Sequence, residues 1–233
     1  MFIITFKLSD YQIINSYQTK SLMDRYKITF ETWNKIAALY QEKFMAIAIY
    51  NDSYDTFCQE IKKVAPKILE IGCGPGNITQ YLLHERPDFQ IKAIDVAPNM
   101  LQLAKINNPS AEFEEMDGRE IHQLKEKFDG IIVGFCLPYL SKKDAVKLIK
   151  DSFQLLNENG ILYFSFIEGD YEHSGYETGS SEDKVFVYYH QETYLKRALK
   201  QHNFEILKTI HKDYPKGDTE LQIHSIIIAK KEG

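Results

Sequence analysis

The chain has 233 residues, of which 28 are Lys or Arg and 33 are Asp or Glu, giving a formal net charge of −5. A general nucleic-acid binder should carry a basic surface, so this acidic balance argues against one. Hydrophobic residues make up 44% of the chain, and no apolar run approaches the roughly 20 residues of a membrane span. The three cysteines lack CxxC spacing and no secretory leader is recognisable, so we expect a reduced, cytoplasmic protein without membrane association.

The N-terminal part predicts an arm followed by helices. Residues 1–25 show no clear hydrophobic period and are interpreted as an arm or an upstream extension. Residues 26–64 are predicted to form N-terminal helices. Apolar residues at helical spacing predict the first helix from Thr32 to about Tyr50. An Asn-Asp-Ser sequence then offers caps for a second helix that would end near Val64.

Residues 66–167 alternate between apolar strands and amphipathic helices, which predicts the core of the fold. The strands are expected at 67–71, 91–95, 111–116, 128–133 and 161–167. The helices are expected at 77–84, 98–106 and 141–156. Strands that are apolar on both faces are typical of a parallel sheet covered by helices on both sides. The predicted fold class is therefore α/β, doubly wound.

The regular alternation ends at Glu168. A polar, aromatic and glycine-rich stretch follows, and after it a short strand and a helix. Residues 168–202 therefore predict a substrate-side insert after the fifth strand, at the carboxyl edge of the sheet, where such folds bind ligands. Residues 203–233 supply two closing strands, and the whole chain, 1–233, is predicted to be a single domain.

Glu70 begins the sequence EIGCGPGN, in which three glycines fall within five positions directly after a predicted strand. A strand, a glycine-rich turn and a helix place backbone N–H groups around a ligand. Asp95 ends the next strand, where a carboxylate can accept hydrogen bonds from two ribose hydroxyls. The pair indicates a nucleoside cofactor. Dinucleotide enzymes use G-x-G-x-x-G, which would need glycine in place of Asn77, so a dinucleotide-dependent oxidoreductase is disfavoured.

The E-x-G-x-G-x-G spacing, the acid at Asp95 and the Met-Asp-Gly sequence after the third strand together resemble the class I S-adenosylmethionine-dependent methyltransferases of the small single-domain type. The resemblance covers residues 67–167. It implies a Rossmann-like sheet, mostly parallel with an antiparallel C-terminal strand. It also implies S-adenosyl-L-methionine as the cofactor and S-adenosyl-L-homocysteine as its product.

In that family the glycine turn holds the methionine part of the cofactor, and the acid after the second strand holds the ribose. Apolar positions beyond it pack on adenine, and an acid after the third strand accepts from the adenine amino group. The end of the fourth strand lies beside the reactive sulfonium. The resemblance thus implies the following cofactor-binding residues: Glu70, Gly72, Cys73, Gly74, Gly76, Asn77, Asp95, Val96, Met100, Met116, Asp117, Gly118, Val133, Gly134 and Phe135.

Packing alone offers another interpretation of several positions. Glycine clusters also occur at strand–helix turns for packing, and Asp117 could be a turn residue. Tyr40 ends the sequence Ala-Ala-Leu-Tyr, which resembles the A-x-x-Y element that lies over the cofactor in this family, and a packing role stays open beside it. Trp33 and Phe44 are interpreted as core residues.

The sequence Cys136-Leu137-Pro138-Tyr139 stands where amino-methylating members of the family carry [D/N]-P-P-[Y/F]. It lacks the Asp or Asn acceptor, so we reject that subclass. The insert is then the expected source of contacts to the methyl acceptor, although strand burial and surface exposure would also account for its aromatic and histidine residues. The candidate wall residues are Tyr171, His173, Tyr176 and Tyr189, and the candidate proton acceptor is His190.

The prediction is therefore methyl transfer from S-adenosyl-L-methionine to an O, N or C atom of a small molecule, with no metal required. One alternative is a non-catalytic S-adenosylmethionine-binding protein, which would lack a cavity for an acceptor. Another is an RNA-modifying methyltransferase, against which the acidic balance argues.

Overall fold

The computed structural model describes residues 24–178, 182–216 and 220–232. Seven strands in these ranges form one sheet in the order β3-β2-β1-β4-β5-β9-β8, and the remaining two, β6 and β7, form a separate hairpin. The strands are β1 Lys67–Ile71, β2 Gln90–Asp95, β3 Glu112–Glu115, β4 Phe128–Val133, β5 Leu156–Ile167, β6 Gly175–Thr178, β7 Lys184–Val187, β8 Phe204–Lys216 and β9 Glu220–Lys231.

Helices cover both faces of the large sheet. Helix α1 includes residues 24–35. The other α-helices are α2 Ala37–Phe44, α3 Asn51–Glu60, α4 Asn77–Glu85, α5 Pro98–Asn107, α6 Lys142–Leu155 and α7 Glu192–Gln201. Short 3₁₀ turns lie at Gly118–Gln123, Leu137–Tyr139 and Tyr171–His173.

The parallel core of the sheet confirms the predicted fold class. Strand β1 pairs in parallel with β2 on one side and with β4 on the other. Its residues Ile68 and Leu69 are fully buried, as are Ile131 and Ile132 of β4, because helices pack on both faces. Strand β9 is antiparallel to both β5 and β8. From β1 the chain adds β2 and β3 on one side of the sheet, and then returns to add β4 and β5 on the other side. In doubly wound sheets, this switch between β1 and β4 opens a crevice at the carboxyl ends of the two strands.

The N-terminal helices differ from the prediction. The expected helix from Thr32 is interrupted by a turn at Ile36 and ends at Phe44. The helix expected to reach Val64 ends at Glu60, because a distant arginine binds carbonyl oxygens in its last turn and just beyond it. Arg86 donates to the carbonyl oxygens of Cys58 and Ile61 and of residue 63, at 3.2, 2.9 and 3.0 Å.

The insert after β5 contains more regular structure than predicted. Residues of β6 pair with β7 as an antiparallel hairpin, where the sequence indicated a loop before β7. The hairpin is held to the core through backbone bonds, from the Tyr188 N–H to the Pro138 carbonyl at 2.7 Å and from the His190 N–H to the Ile167 carbonyl at 2.9 Å. The insert therefore packs beside the carboxyl edge of the sheet.

No helix within the described ranges is both long and apolar enough to cross a membrane. The predicted arm at 1–25 lies outside the described residues except for its last two positions.

Candidate active site

The turn between β1 and α4 follows a path that side chains would obstruct. Gly72, Gly74 and Gly76 have φ angles of +72°, +54° and +83°, in the left-handed region that glycine adopts without steric cost. A Cβ at Gly72 would lie 3.0 Å from the Cys136 Cβ, and one at Gly76 would lie 2.4 Å from the Asn108 amide nitrogen. The turn is thus bare backbone packed tightly against its neighbours.

Asp95 at the end of β2 holds this turn in place. Its Oδ2 accepts from the Gly74 N–H at 2.8 Å, and its Oδ1 accepts from the Ala97 N–H at 2.9 Å. Burial raises the pKa of the Asp95 carboxyl, while these backbone N–H groups favour its charged form. Each carboxylate oxygen can accept more than one hydrogen bond, so Asp95 retains capacity for a ligand in the cleft that it lines.

An open cleft of about 760 Å³, counting space open to solvent, lies at the carboxyl ends of β1, β2 and β4. The structure brings eleven of the predicted cofactor-site residues to it: Tyr40, Gly72, Gly74, Asp95, Val96, Met100, Met116, Asp117, Gly118, Gly134 and Phe135. Five further lining residues were not predicted as cofactor contacts, namely Phe30, Trp33, Cys136, Tyr139 and Leu140. The predicted residues Glu70, Gly76 and Val133 are buried behind this surface.

Asp117 lines the cleft and is paired with an arginine. Its carboxylate forms an ion pair with the Arg119 guanidinium and accepts from the Arg119 backbone N–H at 2.9 Å. The guanidinium also lies 3.9 Å from the ring centroid of Tyr26. These contacts fix the position of the carboxylate at the end of β3, where the resemblance assigns it to the adenine amino group.

Glu70 is a buried acid beneath the glycine turn. Its Oε2 accepts from the Thr79 hydroxyl at 2.5 Å, whereas its Oε1 has no hydrogen-bond partner among the described residues. Burial raises the pKa of the Glu70 carboxyl to about 8, and the charge of Asp95 adds to this rise, while the Thr79 hydrogen bond opposes it. At neutral pH the carboxyl is therefore protonated.

The raised pKa of Glu70 makes folding stability depend on pH. Between the pKa of an unfolded glutamate, about 4.3, and the folded value of about 8, the unfolded chain loses this proton while the folded chain keeps it. We expect the free energy of unfolding to fall as pH rises through this window, at up to about 1.4 kcal/mol per pH unit from this group. Urea titrations from pH 4 to pH 9 measure this, and Glu70→Gln should flatten the fall. An equally steep fall in Glu70→Gln would contradict the assignment.

A second cavity opens beside the cleft. The two share Trp33, Tyr40, Gly72, Gly74, Gly134, Phe135 and Tyr139 in their walls. The second cavity also includes Cys73 and Asn77, which the sequence assigned to the cofactor site. Further aromatic wall residues come from α2, the segment before α3, α3 itself, and strands β8 and β9: Phe44, Tyr50, Tyr54, Tyr214 and His224. The site is thus a cleft joined to an aromatic cavity.

Phe135 stands between the two cavities in a strained conformation. Its φ of +53° is uncommon for a bulky side chain and costs of order 1–3 kcal/mol. Its N–H donates to the Ser165 hydroxyl at 2.8 Å, and its ring contacts Tyr50 and His224 with centroid distances of 4.7 and 4.9 Å. The surrounding contacts therefore hold this ring at the junction.

The structure does not bring the predicted wall residues of the insert to either cavity. His173 and Tyr176 are exposed. Tyr171 stacks on the ring of Tyr188 at 5.9 Å. Tyr189 is half-buried behind the second cavity, where its hydroxyl donates to Glu177 at 2.8 Å. Of the four, only Tyr176 lies in a strand of the hairpin, where it packs edge-on against Phe186 and stays exposed.

His190 is fully buried and lines neither cavity. Its Nε2 lies 2.8 Å from the Leu137 carbonyl oxygen, which can only accept, so Nε2 carries the proton. Its Nδ1 then accepts from the Tyr194 hydroxyl. Burial lowers the pKa of His190 to about 4. This geometry ties the 3₁₀ turn at Leu137–Tyr139 to α7 and gives no support to a role in proton transfer from an acceptor.

Sequence reasoning missed several of the aromatic residues that line the second cavity. Trp33 and Phe44 were interpreted as core, and no prediction placed Tyr50, Tyr214 or His224 at the site. One signal was available in the apolar strand β9, whose sequence ELQIHSIIIAKK contains a histidine among buried positions. A polar residue inside such a strand indicates a specific partner or a cavity.

The central part of the sequence matches a known family. Residues 68–160 match the model of the methyltransferase domain. A malonyl-[acyl-carrier protein] O-methyltransferase from Acetivibrio thermocellus is 32% identical over 123 residues, covering 51% of this chain and 42% of that protein. A trans-aconitate 2-methyltransferase from Escherichia fergusonii is 35% identical over 95 residues, covering 41% of this chain and 36% of that protein. The chain thus spans less than half the length of these two relatives.

Solved structures share the fold. An S-adenosylmethionine-dependent methyltransferase from Clostridium acetobutylicum superposes with a TM-score of 0.64 at 19% identity, covering 87% of this chain and 100% of that one. The magnesium protoporphyrin IX methyltransferase from Synechocystis, crystallised with bound S-adenosylmethionine, gives a TM-score of 0.64 at 15% identity and covers 89% and 97%. Residues 68–160 therefore match a methyltransferase domain, and the solved structures share the fold of the chain.

Proposed function

We propose that this protein transfers the methyl group of S-adenosyl-L-methionine to a small molecule. The observation that carries the proposal is the junction of the cleft with the aromatic cavity. A protein that only bound the cofactor would need the cleft alone, whereas a transferase needs a second space that meets the first. Gly72, Gly134 and Phe135 form this junction.

The cleft fits the cofactor in the chemistry of its walls. The partly buried carboxylate of Asp95 suits the ribose hydroxyls, and the apolar side chains of Val96 and Met100 suit the adenine ring. The bare backbone at Gly74 leaves room for close approach, since a Cβ there would meet only the Tyr40 ring, at 3.7 Å. The Trp33 indole nitrogen is buried without a partner among the described residues, and a buried N–H of this kind calls for an acceptor on a ligand.

When bound, the cofactor supplies an activated methyl group to a nucleophile on the acceptor. The contribution of the chain is to bind, orient and exclude water, and orientation alone can supply about 7–11 kcal/mol of a barrier. Trp33, Tyr40 and Tyr139 line both cavities, and Trp33 makes edge contacts with the other two rings at 5.4 and 5.2 Å. This cluster limits water at the place where the two spaces meet.

Calorimetric titration tests the proposal. S-adenosyl-L-methionine, S-adenosyl-L-homocysteine and NAD are each titrated into the wild-type protein. We expect the first two to bind with micromolar or tighter dissociation constants, and NAD to give no heat of binding. Binding of NAD alone, or of none of the three, would overturn the proposal.

A further inference from the structure

The second cavity is aromatic and carries no charged side chain among its described lining residues. Rings of Trp33, Tyr50, Phe135, Tyr139 and Tyr214 form much of its wall, and His224 completes it. Tyr214 stacks on His224 with a centroid distance of 4.4 Å and an interplanar angle of 12°. Such walls favour a flat apolar ligand through burial and ring contacts.

A chain of hydrogen bonds runs behind this wall from Glu177 to Tyr50. The Glu177 carboxylate determines which group donates and which accepts in each bond. The Glu177 carboxylate can only accept, so the Tyr189 hydroxyl donates to it, at 2.8 Å. The Tyr189 oxygen in turn accepts from Lys216 at 3.4 Å and from the Gln222 amide nitrogen at 3.2 Å. The Gln222 amide oxygen is thereby turned toward His224.

The next two hydrogen bonds lead from Gln222 through His224 to Tyr50 in the cavity wall. The Gln222 oxygen can only accept, so His224 donates to it from Nε2 at 3.1 Å. Burial lowers the pKa of His224 to about 4, which keeps the ring neutral at pH 7 and leaves Nδ1 as an acceptor. The Tyr50 hydroxyl, 2.7 Å away, therefore donates to Nδ1. Its oxygen receives no hydrogen bond from any described residue, so Tyr50 can only accept from a ligand in the cavity.

We propose that the methyl acceptor is a neutral, flat aromatic molecule whose hydroxyl group donates a hydrogen bond to Tyr50. This inference rests on the proposed function and specifies the acceptor class of the same site. His224 and Gln222 act as positioning residues: Gln222 orients His224, and His224 Nδ1 accepts the hydroxyl proton of Tyr50, so that this proton is not available to a ligand.

Desolvation disfavours a carboxylate in this cavity, and charge repulsion disfavours an amine. A carboxylate in this cavity would lose its hydration without meeting a Lys or Arg among the described wall residues, and such desolvation is costly. A protonated amine would meet no carboxylate there and would be repelled by the positive sulfonium in the adjoining cleft. A neutral hydroxyl meets neither cost.

The test uses four probes of matched size: 2-naphthol, 2-methoxynaphthalene, 2-naphthoate and 2-naphthylmethylammonium. Each is titrated by calorimetry at pH 7 into the wild-type protein saturated with S-adenosyl-L-homocysteine, so that no turnover occurs. We expect 2-naphthol to bind at least about ten-fold more tightly than either charged probe. It should also bind about five-fold more tightly than 2-methoxynaphthalene, which has no proton to donate. Equal or tighter binding of a charged probe, or binding of none of the four, would overturn the inference.

Two variants test the direction of the hydrogen bonds. Tyr50→Phe should reduce the preference for 2-naphthol over 2-methoxynaphthalene to less than about two-fold. His224→Phe frees the Tyr50 proton, so the preference should shift toward the methoxy compound, whose oxygen can accept. Tyr81→Phe, which removes a hydroxyl bonded to Asp55 outside both cavities, should keep the wild-type preference. An unchanged preference in Tyr50→Phe would overturn the inference.

The titration with S-adenosyl-L-homocysteine distinguishes failure of the proposed function from failure of the inferred acceptor class. If this compound fails to bind the wild-type protein, the proposed function itself fails. If it binds the wild type and both variants alike, the variants have retained the cleft, and the probe preferences then decide the acceptor class alone.

Discussion

Replacing Asp95 with alanine is expected to weaken binding of S-adenosyl-L-homocysteine by about 100-fold or more, as measured by calorimetry. The carboxylate lines the cleft and is positioned by the N–H groups of Gly74 and Ala97 at 2.8 and 2.9 Å. Hydrogen bonds to a charged group contribute about 1.5–3 kcal/mol each. Two such bonds to a ribose would together exceed the 2.7 kcal/mol that corresponds to a 100-fold change.

Two controls separate binding from folding in this prediction. Asp95→Asn retains one acceptor oxygen of the same shape and should lose less affinity than Asp95→Ala. Asp170→Ala removes an exposed carboxylate that accepts only from the Glu172 N–H within its own turn, and it should bind like the wild type. Thermal denaturation of each variant reports on folding. Wild-type affinity in a folded Asp95→Ala protein would remove Asp95 from the cofactor site.

Gly74→Ala is expected to lower the affinity for S-adenosyl-L-homocysteine by about ten-fold or more while the protein still folds. Alanine at a φ of +54° costs roughly 1–2 kcal/mol. The added Cβ would meet the Tyr40 ring at an ordinary 3.7 Å, so the folded chain accommodates it. Gly74 lines both cavities, and the methyl group would occupy space that the cofactor needs.

Gly76→Ala is the matched comparison, since it places the same methyl group in the same turn. There the Cβ would lie 2.4 Å from the Asn108 amide nitrogen, which donates to the Gly76 carbonyl at 2.9 Å. We expect this variant to lose more thermal stability than Gly74→Ala, because a buried hydrogen bond must break or shift. If Gly74→Ala bound S-adenosyl-L-homocysteine normally while Gly76→Ala did not, Gly74 would not be the part of the turn that contacts the cofactor.

The sequence predicted correctly those features that depend only on short stretches of neighbouring residues. The glycine turn, the acid that ends β2 and the apolar strands of the parallel core are all short patterns whose meaning does not depend on distant residues. The structure accordingly places Gly72, Asp95 and Met116 in one cleft.

The sequence did not predict features that depend on long-range contacts. Helix α3 ends early because Arg86 binds the Cys58 carbonyl in its last turn and the Ile61 carbonyl just beyond it, and no local pattern predicts that contact. His224 reaches the second cavity through the antiparallel pairing of β9 with β5, and it meets Tyr50, which stands 174 positions earlier in the chain. The position of the insert's aromatic residues was not visible in composition either, since it depends on the pairing of β6 with β7, in which Tyr176 stays exposed.

The second cavity takes more of its wall from outside the family match than the cleft does. The family match spans residues 68–160, and most of the cleft comes from that segment, whereas Trp33, Tyr50 and His224 lie outside it. Under the proposed function, substitutions at Tyr50 or His224 would change the acceptor cavity while leaving the residues of the cleft in place. The same division offers protein engineers a boundary for grafting, because most of the cleft can be kept while the flanking segments are exchanged.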